Sequence, residues 1–220
     1  MKAVILLIVA LYLVTVGFFI GATEHKAMFN SVKWTDVGTL IVTFLGFAFG
    51  FYTYFQWLGN KRKEDSYISA KRYLSAIDEI EENLHELAFH YNHICPTPGL
   101  FVENKDLSVK RIEHLHNVWG NLYQARRNLY KTNRELAFWN VKLTSDAKGN
   151  YDFLNKSLDN ISVVSSALNN QLHHYICKER NNINVVVQHK ERFDELHKSA
   201  HKVVQHRVDT GFKAMFTFET

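Results

Sequence analysis

Apolar and polar positions divide the chain into two regimes. Residues 3–22 and 37–58 hold no Asp, Glu, Lys, Arg or His. A helix rises ~1.5 Å per residue, so either run covers the ~30 Å hydrocarbon core of a bilayer. Beyond residue 60 the runs give way to stripes. Residues 64–94 set Tyr73, Ile77, Ile80, Leu84, Leu87, Tyr91 and Ile94 at alternating steps of three and four. Residues 107–144 repeat leucine every seventh position, at Leu115, Leu122, Leu129, Leu136 and Leu143, beside a weaker line of Val118, Ala125, Thr132 and Trp139. Residues 151–178 place Leu154, Leu158, Ile161, Ser165, Leu168, Leu172 and Tyr175 in register, and residues 185–208 place Val186, Phe193, Leu196, Ala200 and Val203. A period near 3.5 residues buries one stripe of a helix and leaves the other faces wet.

Breakers separate these stretches. Pro96 and Pro98 share one loop with Gly99, and Gly59, Gly149 and Gly211 fall where the pattern stops. The second and third connections are short, which sets neighbouring helices antiparallel. The expected fold is all-α, in three parts: a two-helix transmembrane hairpin (1–60, with spans 3–22 and 37–58), a cytoplasmic antiparallel four-helix, coiled-coil-like bundle (61–210) and a C-terminal tail (211–220). The tail, Gly211-Phe-Lys-Ala-Met-Phe-Thr-Phe, alternates weakly and reads as an interfacial anchor or a packed end.

Charge changes the picture by giving the spans a direction. Lys61, Arg62, Lys63, Lys71 and Arg72 follow the second run, Lys2 precedes the first, and Glu24, Lys26, Lys33 and Asp36 cancel in the loop between. Cations beside a span stay cytoplasmic. This predicts a two-pass protein of the cell inner membrane with both termini inside and with Lys61, Arg62 and Lys63 at the lipid headgroups. Trp34, Tyr54 and Trp57 match the aromatic belt of a span. A signal peptide cut after Ala22 is the alternative for the first run, which is longer than the usual apolar core of ~7–15 residues. The net charge of +4 is spread along the chain, so no nucleic-acid surface is indicated. Two cysteines make no disulfide framework.

Several constellations are candidates for chemistry. Gly17 and Gly21 form GxxxG in the first span, and Gly46 and Gly50 form it in the second. Such spacing lets two helix backbones approach in lipid. Pairing within the hairpin is one use and packing between subunits another. No charged residue lines either span, which argues against a dedicated ion carrier. A pore built on oligomerisation would be lined by Thr39, Thr43 and Thr53. The leucine seam from Leu115 to Leu143 is the candidate for bundle or subunit assembly.

Twelve histidines are many for 220 residues. The up-down topology gathers His90, His93, Cys95, His114, His116, His173, His174 and Cys177 at the membrane-distal tip. Imidazole and thiolate suit Zn²⁺, so His93, Cys95, His114, His116, His173 and Cys177 are metal candidates, with solvated helix-end histidines as the plain reading. His197 and His201, four residues apart, form a separate pair without a third ligand in view. Arg192-Phe-Asp-Glu-Leu-His197 and Arg111-Ile-Glu-His-Leu-His116 match Arg-x(4–6)-His, which resembles the motif of HEPN ribonucleases. That resemblance implies Arg192 and His197 acting on an RNA phosphate and ribose hydroxyl across a dimer. No phosphate loop, nucleophile elbow or HExxH is present.

The layout of two spans, a small outside loop and one cytoplasmic helical domain resembles the two-transmembrane effectors of bacterial anti-phage defence systems of retron, nucleotide-signalling and RNA-guided immunity types. The resemblance implies a non-enzymatic, homo-oligomeric effector that compromises or gates the inner membrane. A membrane-anchored scaffold or sensor that recruits a cytoplasmic protein along its bundle is the alternative, and a tethered HEPN-like ribonuclease the second. No cofactor is expected beyond the zinc candidates.

Overall fold

The computed structural model of the chain describes Gly17 and residues 34–95, 104–177 and 182–218. The protein is helical. Its long elements are α1 (Trp34–Ile94), α2 (Lys105–Phe138), α3 (Ser145–Cys177) and α4 (Ile183–Thr210). Among the described residues there are also three short elements: β1 (Val141–Leu143), α5 (Phe212–Met215) and β2 (Phe216–Phe218). The chain divides into two compact units, residues 1–63 and 64–220. The first apolar run, apart from Gly17, and the loop after it lie outside the described residues, as does Gly21.

In the first unit, the described helix from Val37 onward is long and apolar enough to cross a membrane, and none of that apolar stretch is buried. Phe47, Phe49 and Trp57 are more than half exposed. The Thr39, Thr43 and Thr53 hydroxyls donate to the carbonyls of Thr35, Thr39 and Phe49 four residues back. This satisfies the only side-chain hydroxyls besides tyrosine in the stretch without a partner helix, as a lipid environment demands. Gly59 does not interrupt α1, because a lone glycine costs a helix only ~1 kcal/mol.

The second unit is organised around one hydrophobic core, to which all four long helices contribute. Each of the seven stripe residues from Tyr73 to Ile94 is buried, as are Leu115, Leu122, Leu129 and Leu136. Asn104 caps α2, its side chain accepting from the Asp106 amide at 3.0 Å. In α3 and α4 the buried positions at the C-terminal ends are Ile176 and Val204, one residue past the predicted Tyr175 and Val203. An undistorted helix drifts ~20° per heptad against a 3.5 repeat, so over three to four heptads the stripe turns by ~60–80°, enough to pass burial on to the next residue.

The expected helix over 107–144 ends earlier. α2 stops at Phe138, and Asn140 turns the chain with φ of 56°, a left-handed conformation that asparagine tolerates. Leu143 is therefore not the fifth rung of the leucine seam but lies in β1. The tail is likewise part of the folded unit. β1 and β2 pair antiparallel, with Val141 opposite Phe218, Lys142 opposite Thr217 and Leu143 opposite Phe216. Met215 and Phe216 are buried, and the Phe216 ring meets Tyr73 edge-on at 5.9 Å. Thr144 fastens the ribbon to α3: its amide donates to Met215 O, its hydroxyl donates to Ala214 O, and the same oxygen accepts from the Ala147 amide. The break at Gly211, with φ of 75° and ψ of 159°, redirects the chain after α4.

Candidate functional site

Two regions carry chemistry beyond core packing. The first is the glycine face of the apolar part of α1. Among the described residues, no atom lies within 4 Å of a Cβ built on Gly17, Gly46 or Gly50. Gly46 and Gly50 are one turn apart, so they leave a shallow concavity on the helix, lined also by Thr43, Phe47, Phe51 and Tyr54. Its backbone can be approached closely, and its rim is aromatic. Gly21 lies outside the described residues. At the end of this unit Arg62 and Lys63 are exposed, and Lys61 is half-buried.

The second region is a set of histidines held on helix surfaces. The tip set expected to ligate metal is not gathered into one site. His93 and His116 each place Nδ1 against a carbonyl of their own helix, Phe89 O at 2.7 Å and Ile112 O at 3.0 Å. Cys95 and Cys177 are free thiols. Burial pushes the Cys95 thiol up to about 12, which opposes the thiolate a metal needs. Among the described residues, two three-residue groups have potential ligand atoms within 4.8 Å of one another. They are Glu81, His85 and His201, and Glu86, His90 and His114. Of the six sequence candidates only His114 belongs to either.

The physical reason lies in α1. The segment Glu81-Glu82-Asn83-Leu84-His85-Glu86-Leu87-Ala88-Phe89-His90 contains two Glu-x-x-x-His pairs, five residues apart. Each pair shares a helix face, and five residues turn a helix by ~140° net of a full turn. One pair therefore meets α4 and the other meets α2. On the α2 side, His114 Nε2 sits 3.2 Å and His90 Nε2 3.9 Å from Glu86 Oε1. The Glu86 and His114 side chains are close to half exposed, at 45% and 49%.

The α1–α4 group encloses its carboxylate more deeply. Glu81, 18% exposed, sits at its centre: His201 Nδ1 is 3.4 Å and His85 Nε2 3.7 Å from Oε1. Gln205 Nε2 donates to Oε1 at 2.7 Å, and Arg207 Nη2 donates to Oε2 at 3.1 Å. Arg207 also pairs with Asp78 and donates to the Leu74 carbonyl at 3.2 Å. His197 adjoins the group. Its ring is 5.5 Å from His85 and lies parallel to that of His201 at 6.2 Å. Burial, and then the neighbouring His85 and His201, hold its pKa below the usual histidine value. His197 Nε2 and His201 Nδ1 are buried and make no hydrogen bond. The pair His197–His201 thus acquires the partners that its spacing alone did not reveal.

The Arg-x-x-x-x-His arrangement does not converge within the chain. Arg192 is exposed and pairs with Glu195 at 2.8 Å, whereas His197 stacks on Phe193 and faces α1. Residues five apart on a helix point ~140° away from each other. Tyr123 and Tyr130 remain exposed on α2, with Arg134 over the Tyr130 ring at 6.0 Å.

No known protein-family model, no curated protein and no solved structure matches this chain.

Proposed function

We propose that the chain is a membrane-anchored, oligomeric helical effector that compromises or gates the membrane holding it. The observation that carries this reading is the wholly unburied apolar stretch of α1 with its open Gly46–Gly50 face. An apolar helix exposed all round finds its solvent in lipid. Between helices in lipid, close glycine packing takes the place of hydrophobic driving force. The reading comprises a two-span hairpin in the inner membrane, both termini cytoplasmic, and an antiparallel four-helix bundle formed by residues 61–210 with the tail docked on it. Its setting, by resemblance of layout, is bacterial anti-phage defence.

The test is membrane potential in cells expressing the full chain beside a Gly46→Leu/Gly50→Leu variant. Depolarisation by the native chain, abolished in the variant, supports the reading. Equal depolarisation by both chains removes the glycine face from it.

One observation favours a second reading, a membrane-anchored scaffold. The Leu115–Leu136 seam is consumed inside the chain's own core, so the second unit has a complete core without a partner. Tyr123, Tyr130 and Phe138 stay exposed on α2 as a surface for another protein. A scaffold leaves membrane potential intact in every form of the chain.

A further inference from the structure

We propose that Glu81, His85 and His201 form a binding site for one divalent transition-metal ion of the zinc type, with the His197 ring adjoining it. The ligand set comes from one turn of α1 and one turn of α4. Glu81 and His85 are four residues apart, so α1 presents two donors on one face, and α4 presents His201 opposite them. This is how helical bundles build metal sites from facing helices.

The distances suit the ion. Bonds of ~2.0–2.1 Å in tetrahedral geometry hold donor atoms ~3.3 Å apart. His201 Nδ1 and His85 Nε2 stand 3.4 Å and 3.7 Å from Glu81 Oε1. The donors also specify the metal class. Imidazole with a single carboxylate suits Zn²⁺ and its neighbours Co²⁺, Ni²⁺ and Cu²⁺, whereas Ca²⁺ and Mg²⁺ require oxygen shells.

A second observation points to a ligand independently of the clustering. His197 Nε2 and His201 Nδ1 are buried without any hydrogen bond. Buried polar atoms without a hydrogen bond are uncommon and costly, and the His201 one lies 3.4 Å from Glu81 Oε1. A cation shared with that carboxylate supplies its partner.

The surroundings are arranged as an outer shell. Arg207 holds Glu81 Oε2 and Gln205 donates to Oε1, which leaves Oε1 a further lone pair. Asp78 pairs with Arg207 and offsets its charge, so Asp78, Glu81 and Arg207 together carry one negative charge. Such partners orient ligands and raise affinity. In the Glu86–His90–His114 group the carboxylate is 45% exposed, against 18% for Glu81, and no metal is assigned there.

The experiment uses the full chain, free of any affinity tag, in detergent micelles. Zn²⁺ is titrated in competition with a chromogenic chelator, and Co²⁺ serves as a spectroscopic stand-in. The native chain is expected to hold one equivalent of Zn²⁺. His85→Ala and His201→Ala are each expected to weaken binding at least ~10-fold, and Glu81→Gln likewise. His114→Ala leaves binding unchanged. His85 is 52% exposed at its side chain, so its replacement removes a donor without opening the core. Bound Co²⁺ is expected to show visible d–d bands and no thiolate charge transfer. Zn²⁺ is also expected to raise the melting temperature of the native chain and not that of His85→Ala. A folded native chain that holds no Zn²⁺ overturns the proposal. So does affinity unchanged in both histidine variants, or a thiolate charge-transfer band that places the ion on Cys95 or Cys177.

Discussion

Residues 37–58 and 64–94 belong to the same helix, α1, and differ in what becomes of their apolar side chains. In the later stretch Ile80, Leu87 and Tyr91 are wholly buried against the other helices. In the earlier one Phe47 is 65% and Phe49 71% exposed, although both are as hydrophobic as anything in the core. The difference is angular. The later stretch restricts its apolar residues to one stripe, which protein can cover. The earlier one is apolar on every face, and none of the described residues covers it; a helix of that kind suits a lipid phase. Hydrophobicity alone does not place a residue in a protein core. Its distribution around the helix decides which solvent it leaves water for.

Phe193 is fully buried against Tyr91, at a ring distance of 4.7 Å. Phe193→Ala is expected to destabilise the second unit by ~3–5 kcal/mol, read from denaturant unfolding of the full chain in micelles. Phe47→Ala in the same assay is expected to leave that transition in place. Equal losses from both would show that the apolar stretch is part of the folded core.

A polar core contact comes next. Tyr91 donates to Asn169 Oδ1 at 2.9 Å in a buried setting. Tyr91→Phe leaves the Asn169 oxygen unsatisfied, and a loss of ~1–3 kcal/mol is expected. A change within experimental error would place water at that contact.

The same burial sets an alkaline limit. Desolvation raises the pKa of Tyr73 and Tyr91, and that of Cys95 to about 12. In the unfolded chain these groups ionise near their ordinary values of 10.0 and 9.0. Folded, they stay neutral. Stability from them is complete below pH 9 and falls as pH rises through 9–12, first through Cys95 and then through the tyrosines. Each group contributes at most ~1.4 kcal/mol per pH unit once its unfolded form is ionised. Tyr73→Phe is expected to reduce this slope in unfolding measured from pH 8 upward. An unaltered slope would mean that the Tyr73 hydroxyl already reaches solvent.

Gly211 sharpens the comparison at the opposite end of the second unit. Its φ of 75° and ψ of 159° belong to a region nearly restricted to glycine. Gly211→Ala is expected to cost ~1–3 kcal/mol by strain in the turn that returns β2 to β1. The smallest effect is expected from Gly46→Leu/Gly50→Leu, which should leave the unfolding of the second unit within ~0.5 kcal/mol while abolishing assembly in the membrane, read by cross-linking in micelles. A large loss of stability would tie the glycine face to folding rather than to assembly.

Much of the helical core was legible along the chain. Every stripe residue from Tyr73 to Ile94 is buried because a repeat of three and four is a statement about one helix face. The leucine seam was legible as far as Leu136 and failed at Leu143. A heptad count does not register that Asn140 can take a left-handed turn, nor that Val141, Lys142 and Leu143 have strand partners more than seventy residues away. The tail admits two readings for the same reason, since three alternating residues carry little signal until the strand they pair with is known. The histidine sites were half legible. Glu81–His85, Glu86–His90 and His197–His201 are all visible as spacings of four. Attention to helix ends gathered His93, Cys95, His116 and Cys177 instead, and missed the carboxylates at the centre of each cluster.

The sequence by itself determined that the chain is helical, that one stretch of it suits a bilayer and where the core stripes lie. Apolar runs and helical periods are local, so they can be read without knowing what stands opposite. Only the tertiary structure decided that Glu81 and His85 meet His201 while Glu86 and His90 meet His114. Those meetings join residues 116 to 120 apart in one case and 24 to 28 in the other. They depend on the angle at which each helix turns a face to its neighbour, a quantity set by the packing of the whole core and written in no single segment.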